Sequence, residues 1–464
     1  TKVDYTRSLA TTMPLYLNRV PTVLSLSQLD KDGPDGPINA ASLLTPDAAV
    51  LDVHGAYLPV YNYATAKVLK SKRVRSFGDL LSVPDIDAFV GPTLQFSDVS
   101  GSSDDDSNSS LANDVPAEAF SPRSGLRRSA LDNILITEWD ARSEQGLFRY
   151  DVTACESKLL PGKWGFVSQC NEGRGSKKRA TEYRIDKVVQ EFDRSKFNFT
   201  KALQKEVLFA FDMGDAPDDL EGHNFELKPV EESPSLVFIN VSPIEHGHVL
   251  LVPRVLDFLP QQATPETVLT CLAFVKAANN PYFRAGFNSL GAYGTINHLH
   301  FQAYYLHAPF PIERAPTVPL EAEAASRKRS RDAAKVLRLA DYPVNALVYE
   351  AGSCLEELAT MVGSACMRLA EANIPHNLIV ADQGARVFLI PQCFAERQAK
   401  GEIPEKILKT QVNPAAFEIA GHLPLKSRAD YDAIDEEYAV ELIAAASLPE
   451  DRFSEAVKIA LCGK

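Results

Sequence analysis

The chain has 464 residues, 45% of them hydrophobic and 23% charged, with 61 Asp and Glu against 48 Lys and Arg. That length holds about two or three domains, or one large fold of two similar halves, and the composition is that of a globular protein rather than a disordered or fibrous one. A formal net charge of −13 argues against nucleic acid or an anionic membrane as partner, so any phosphate group has to be held by a local site.

In chain order, residues 1–96 read as an extension packed on the main body. LYLNRVPTVLSLSQ (15–28) and GAYLPVYNY (55–63) are extended, and DKDGPDGP (30–37) is a turn-rich loop. Residues 97–128, rich in Ser, Asp, Pro and Gly, are too polar to order themselves by burial and read as a disordered, acidic and Ser-rich insertion. A first half, 129–319, opens with a helix over 129–146, whose apolar positions recur at helical spacing before Gly146. Strand patterns follow at 148–154, 164–170, 236–241, 248–252, 284–290 and 298–306, with a helix over 266–278 between the fourth and fifth. Residues 320–345 read as a charged helix or linker. The second half, 346–464, repeats part of the first: strand 346–351, helix 354–372, strands 377–382 and 386–392, and a last helix near 435–447. The order predicts an α+β fold with an antiparallel sheet and helices.

No run approaches the roughly 18 apolar residues of a membrane span, and Thr1 to Val20 lack a signal pattern. The expectation is a soluble, cytoplasmic protein, with the nucleus as a further compartment, and Thr1 in place of Met leaves a longer native start open. The seven cysteines are scattered and none forms C-x-x-C, which argues against a disulfide framework and a cysteine zinc knuckle.

The densest chemistry lies in Asn288-Ser-Leu-Gly291-Ala-Tyr-Gly294-Thr295-Ile-Asn-His298-Leu-His300-Phe-Gln302. Strand alternation over 298–304 puts His298, His300 and Gln302 on one face and Leu299, Phe301 and Ala303 on the buried one. Gly291 and Gly294 flank a turn whose backbone N–H groups can approach a phosphate. Alone, an H-x-H pair reads as two histidines satisfied on a half-buried sheet. A metal site is disfavoured because the positions beyond the second His hold Tyr304 and Tyr305, and no carboxylate or cysteine joins His246 and His248. The second constellation, Phe238-Ile-Asn240-Val-Ser-Pro-Ile-Glu-His246-Gly-His248-Val-Leu-Leu-Val-Pro-Arg254, reads as a hairpin with a small polar residue on one strand and a histidine opening the other.

These two segments in this order resemble the histidine-triad (HIT) superfamily and its galactose-1-phosphate uridylyltransferase-like branch, in which Gln replaces the third histidine. The nearer likeness is to the GDP-L-galactose phosphorylase family of plants and algae, through LNRVPTVLS, GLFRYDVTACESKLLPGKWGFVSQCNEGR, FDRSKFNFT, INVSPIEHGHVLLVPR, NPYFRAGFNSLGAYGTINHLHFQAYYL, RVFLIPQC and VNPAAFEIAGH. The resemblance implies a HIT-like fold of two halves and a nucleotidyltransferase. Its substrates are a GDP-hexose and inorganic phosphate, and its product serves ascorbate synthesis. No cofactor or metal is implied, and a homodimer is left open. GDP-D-glucose phosphorylase, or a noncatalytic GDP-sugar binding protein, is the alternative.

On this reading His300 attacks the α-phosphorus, provided its other ring nitrogen is held as a donor. Gln302 bonds the phosphoryl oxygens without relaying protons. The resemblance assigns His298 to orientation and phosphate contact, Asn240 to the ribose hydroxyls, and Asn288 and Thr295 to the phosphates, with His248 and the two glycines beside them. The basic stretch Arg174-Gly-Ser-Lys177-Lys178-Arg179 reads equally as a solvated loop or as part of the nucleotide site. Lys196 and Asn198 are expected to line it, with Phe197 and Phe199 read alternatively as core. Glu418 and His422 are expected to close the pocket from the second half.

Overall fold

The computed structural model describes residues 57–63, 128–177, 183–214, 227–229, 233–320 and 332–462. The expectations for 1–56, 64–96 and 97–127 therefore lie outside the described residues.

Twelve strands form one sheet: β1 (Tyr57–Asn62), β4 (Val207–Asp212), β5 (Leu227–Pro229), β6 (Leu236–Ile239), β7 (Val249–Val252), β8 (Phe283–Asn288), β9 (Phe301–Tyr305), β10 (Thr317–Pro319), β11 (Lys335–Leu339), β12 (Leu347–Glu350), β13 (His376–Ala381) and β14 (Arg386–Pro391). Their order is β10-β11-β12-β14-β13-β8-β9-β7-β6-β4-β1-β5. Every pairing is antiparallel except β1 with β4. A small second sheet holds β2 (Glu156–Leu159), β3 (Val167–Cys170) and β15 (His422–Leu425). The α+β expectation with an antiparallel sheet and helices thus describes this chain.

Two four-stranded units share one connection. In the first, hairpin β6-β7 is followed by helix α2 (Pro265–Ala278) and hairpin β8-β9; in the second, hairpin β11-β12 is followed by helix α3 (Leu355–Glu371) and hairpin β13-β14. The units meet where β8 pairs with β13, from Asn288 opposite Asn377 to Ala285 opposite Val380. α2 and α3, with α1 (Ala130–Glu144) and α5 (Glu450–Cys462), cover one face of the sheet through side chains such as Leu131, Phe274, Leu358 and Phe453. The opposite face is buried in the second half by Ile379, Phe388 and Ile390, packed with the short helix α4 (Ala416–Ala420) and β15. In the first half a smaller apolar cluster around Phe199, Val207 and Phe238 covers it, and a cleft remains between the two.

Local signals explain the helix starts. Ser129 accepts from the Asp132 N–H and caps α1, and Thr264 and Thr267 make a reciprocal capping box ahead of Pro265 at the first turn of α2. Three of the differences from the sequence expectation have a local physical cause. Residues 148–154 are not a strand, because the Asp151 carboxylate accepts from the Thr153 N–H and hydroxyl and caps a 3₁₀ turn at Val152–Ala154. Within the expected linker 320–345, residues 335–339 are strand β11, which buries Val336 on the helix-covered face and Leu339 on the opposite one, a pattern hidden by Lys335 and Arg338. The strand expected from 298 begins at 301, for a reason that belongs to the site.

Gly363 on α3 sits against the backbone of Thr264 and Pro265, where a Cβ would overlap main-chain atoms. A mid-helix Gly→Ala change ordinarily stabilises by about 0.5–1 kcal/mol. Here overpacking at the α2–α3 contact is expected to outweigh that gain, and Gly363→Ala should destabilise by about 1–3 kcal/mol. Denaturant melts of the two proteins check this; an increase in stability would show that the helices separate at no cost.

Candidate active site

The cleft is walled by β6, β7 and β9, by the 197–199 segment, by the 293–296 turn and by the second-half segment 415–418. Its centre is His300. The backbone on either side of this residue leaves the ladder because a buried side chain replaces the neighbouring strand: Gln261 Oε1 accepts from the His300 N–H (2.9 Å), and Gln261 Nε2 donates to the His300 carbonyl (3.1 Å) and to the Asn288 carbonyl (3.0 Å). That clamp delays β9 to Phe301. It also breaks the expected alternation, so His298 does not share a face with His300 and Gln302.

His300 Nδ1 lies 2.8 Å from the His298 carbonyl. A carbonyl only accepts, so Nδ1 carries the proton and the lone pair is on Nε2 of a ring that lines the cleft. Burial pushes the His300 pKa down to about 4, against a smaller opposing effect of that carbonyl. The ring is therefore neutral at physiological pH.

His298 is fully buried, with Phe192, Phe199 and Phe258 rings at 5.3, 5.5 and 6.1 Å, and its Nδ1 accepts from the Phe199 N–H at 3.1 Å. Its ring does not line the cleft, against the phosphate contact expected of it. What it offers His300 is its carbonyl. Burial lowers its pKa to about 3.

A second tautomer argument fixes Gln302. The Ile244 N–H donates to His248 Nδ1 at 2.8 Å, so His248 carries its proton on Nε2, 3.2 Å from Gln302 Oε1. His248 is fully buried, which drives its pKa well below the ordinary histidine value and keeps it neutral. Gln302 must present oxygen to this donor, and its amide N–H₂ group is left for the cleft it lines. Asn288 is set the same way: its Oδ1 accepts from Asn377 Nδ2 (2.7 Å) and the Ala416 N–H (3.0 Å). Asn240 Oδ1 is occupied by the Ser242 N–H at 3.0 Å, and its Nδ2 lies 3.1 Å from His248 Nε2. Two cleft amides, Gln302 and Asn288, thus turn their oxygens into the protein and leave their N–H₂ groups to the cleft, an arrangement suited to an anion, whereas the Asn240 nitrogen is turned inward against the His248 Nε2–H, a contact between two donors that is no hydrogen bond.

The other expected residues divide. Thr295 and Arg174 line the cleft, and Arg174, buried, donates to the Ser242 carbonyl at 3.0 Å. Gly291 and Gly294 do not line it: a Cβ at Gly294 would meet the Asn288 carbonyl at 2.6 Å and one at Gly291 the Pro375 ring at 2.9 Å, so both serve packing. The left-handed residue of that turn is Tyr293, which does line the cleft. Lys196 lies over the Tyr183 ring, and Asn198 caps the turn at Phe199–Lys201; neither reaches the cleft, whereas Phe197 and Phe199 wall it. Lys178 and Arg179 lie outside the described residues. Glu418 lines the cleft and accepts from the Ala415 N–H, while His422 is buried behind it against the Tyr304 hydroxyl at 2.9 Å. His246 lies 2.8 Å from Asp140, away from the cleft. Sequence reasoning missed Gln261, Arg149, Glu206 and Ser242; the first, one of two adjacent glutamines after Pro260, carries no linear signal.

The arrangement can place a neutral imidazole nitrogen against an electrophilic phosphorus whose oxygens receive amide hydrogens. Long-range ¹H–¹⁵N spectra of the imidazoles check the tautomer: between pH 5.5 and 8, His300 should remain neutral with its proton on Nδ1 and titrate only near pH 4. A charged His300 at pH 6 would remove the lone pair on which this chemistry depends.

Comparison with known proteins adds identity. Residues 130–304 match the family described as GDPGP1-like, N-terminal domain, and residues 311–463 match GDPGP1-like, C-terminal domain. The chain is similar to GDP-L-galactose phosphorylase 1 of Arabidopsis thaliana, with 51% identity over 71% of this chain and 73% of that protein. It is also similar to GDP-D-glucose phosphorylase 1 of Bos taurus, with 36% identity over 72% of this chain and 83% of that one. Among solved structures, yeast Ap4A phosphorylase Apa2 in complex with Ap4A aligns with a TM-score of 0.43 at 14% identity, over 69% of this chain and 98% of that one.

Proposed function

Because the chain belongs to the GDPGP1-like family, we propose that it is a GDP-hexose phosphorylase acting on GDP-L-galactose, giving L-galactose 1-phosphate and GDP. The observation that carries this reading is the neutral His300, its Nδ1 proton committed and its Nε2 lone pair available to the cleft.

His300 Nε2 attacks the α-phosphorus, the bond from that phosphorus to the bridging oxygen breaks, and hexose 1-phosphate leaves with the electron pair. An oxygen of inorganic phosphate then attacks the same phosphorus, the P–N bond breaks, GDP departs and the imidazole is restored. Neither step requires a proton from the protein, because the leaving group is a phosphate and the acceptor arrives already ionised. Gln302 and Asn288 donate amide hydrogens to the phosphoryl oxygens as charge shifts between them, and Arg174 supplies the cation for the departing and incoming phosphate.

The identity of 51% to an Arabidopsis GDP-L-galactose phosphorylase, against 36% to a GDP-D-glucose phosphorylase, favours L-galactose. A kcat/KM series over GDP-L-galactose, GDP-D-glucose and GDP-D-mannose with phosphate ranks the hexoses, and a higher value for GDP-D-glucose would move the assignment.

Incubation with guanine-labelled GDP-hexose without phosphate should leave label on the wild-type protein, and later phosphate should release it as GDP. His300→Asn should neither take up label nor turn over, while His298→Asn, which keeps the backbone carbonyl, should retain part of the activity. Substantial phosphorolysis by His300→Asn would exclude the covalent route.

Gln302 has no titratable proton near neutral pH, so water finds no base there, whereas phosphate brings its own nucleophilic oxygen. Gln302→His introduces a group with a pKa near 6.5. This variant should lose phosphorolysis and gain hydrolysis, raising the ratio of GMP to GDP released. An unchanged ratio in a folded variant would assign the exclusion of water to the cleft walls instead.

A further inference from the structure

We infer that Glu206 reads the guanine base, an assignment that rests on the phosphorylase reading for the position of the α-phosphate. The geometry is that of a single row across the sheet. Gln302 in β9 lies opposite Leu250 in β7, Leu250 opposite Phe238 in β6, and Phe238 opposite Val207 in β4. Three inter-strand steps of about 4.8 Å span about 14 Å. With side chains reaching inward from both ends, that is the distance from an α-phosphate to the far edge of its purine.

The floor between the two ends is apolar. Leu250 and Phe238 line it, Phe199 packs 5.5 Å from Phe238 and 5.2 Å from His300, and Phe197 stands beside Phe199. Such a surface holds the face of any purine. It cannot tell guanine from adenine. Discrimination requires a polar group at the ring edge, and Glu206, immediately before Val207, lines the cleft at that end. The other carboxylate lining the cleft, Glu418, lies on the opposite side of Gln302, beside Phe417, which packs on Gly286, the other cross-strand neighbour of Gln302.

Guanine presents N1–H and the N2 amine side by side, and a carboxylate accepts from both. Adenine presents the N1 lone pair there, which repels it. Glu206 already interacts within the protein, and a carboxylate has lone pairs for about four bonds, so acceptors remain for the base.

The test uses nucleotide binding by the full chain, which does not depend on turnover. The wild-type protein should bind GMP more tightly than IMP, which lacks the N2 amine, and IMP more tightly than AMP. Glu206→Gln should weaken GMP by about 10²-fold and leave AMP unchanged or improved, because a charge-assisted pair is lost from one and a repulsion from the other. In the phosphorylase assay the loss should fall on KM for the GDP-hexose more than on kcat. Equal affinity of the wild type for GMP and AMP, or an undiminished GMP preference in folded Glu206→Gln, overturns the assignment. A protein that prefers GMP through Glu206 yet cleaves no GDP-hexose retains this assignment and loses the reaction proposed above.

Discussion

The hydrogen bond from the Ile244 N–H to His248 Nδ1 sets the polarity of the reactive surface. It leaves the His248 proton on Nε2, that proton takes the oxygen of Gln302, and only the amide hydrogens of Gln302 remain for a ligand. Reversing the amide would bring two donors face to face in a buried position, at a cost of about 1–3 kcal/mol. A backbone N–H in a tight turn thus decides what a side chain on another strand can offer, and the turn itself depends on Gly247, whose φ of 68° and close approach to the Tyr305 ring leave no room for a Cβ.

The second half acts on the site through the same device. Gln392 Nε2 donates to Asn377 Oδ1 (2.7 Å), and Asn377 Nδ2 donates to Asn288 Oδ1 (2.7 Å) and to the Ala292 carbonyl (3.1 Å). This relay crosses the β8–β13 seam, so the orientation of a first-half amide is fixed by residues nearly a hundred positions later in the chain. His300 and Gln302 belong to one unit, but the donor array is complete only when both units are joined. That gives the pairing of the halves a chemical consequence beyond the apolar surface it buries.

What was legible in the sequence follows from this organisation. Helices α1, α2 and α3 are legible from apolar residues at helical spacing, with Gly146 closing the first, and strands β6, β7, β13 and β14 from short continuous apolar runs, because their residues are buried on both faces of the sheet. β11 is not legible, because Lys335 and Arg338 interrupt one face each, and α5 is hidden behind a polar first turn. His300 and Gln302 were found from motif order. His298 was misplaced because alternation presumes a ladder, and the ladder partner of His300 is a side chain, Gln261, which no period encodes. Gly291 and Gly294 were read as phosphate contacts, since close approach to a ligand and close approach to the chain's own carbonyls leave the same residue in the sequence. Glu206 and Arg149 reach the cleft from segments whose neighbours in sequence point elsewhere, and only the sheet order brings them there.

Burial of His300, the nucleophile proposed above, cuts two ways, and both matter to an exchange between similar bonds. A pKa near 4 for His300 makes the imidazole a weaker base than histidine in water, which slows attack on phosphorus. The same low basicity makes it a better leaving group when phosphate attacks the phosphorylated ring. Substrate and product of the proposed reaction both contain a phosphoanhydride, so the nucleotide must move onto histidine and off again without a deep intermediate. A strongly basic imidazole would speed the first transfer and trap the second. Burial of a neutral ring, with its tautomer held by the His298 carbonyl rather than by a carboxylate that would raise its basicity, favours discharge of the proposed intermediate onto phosphate.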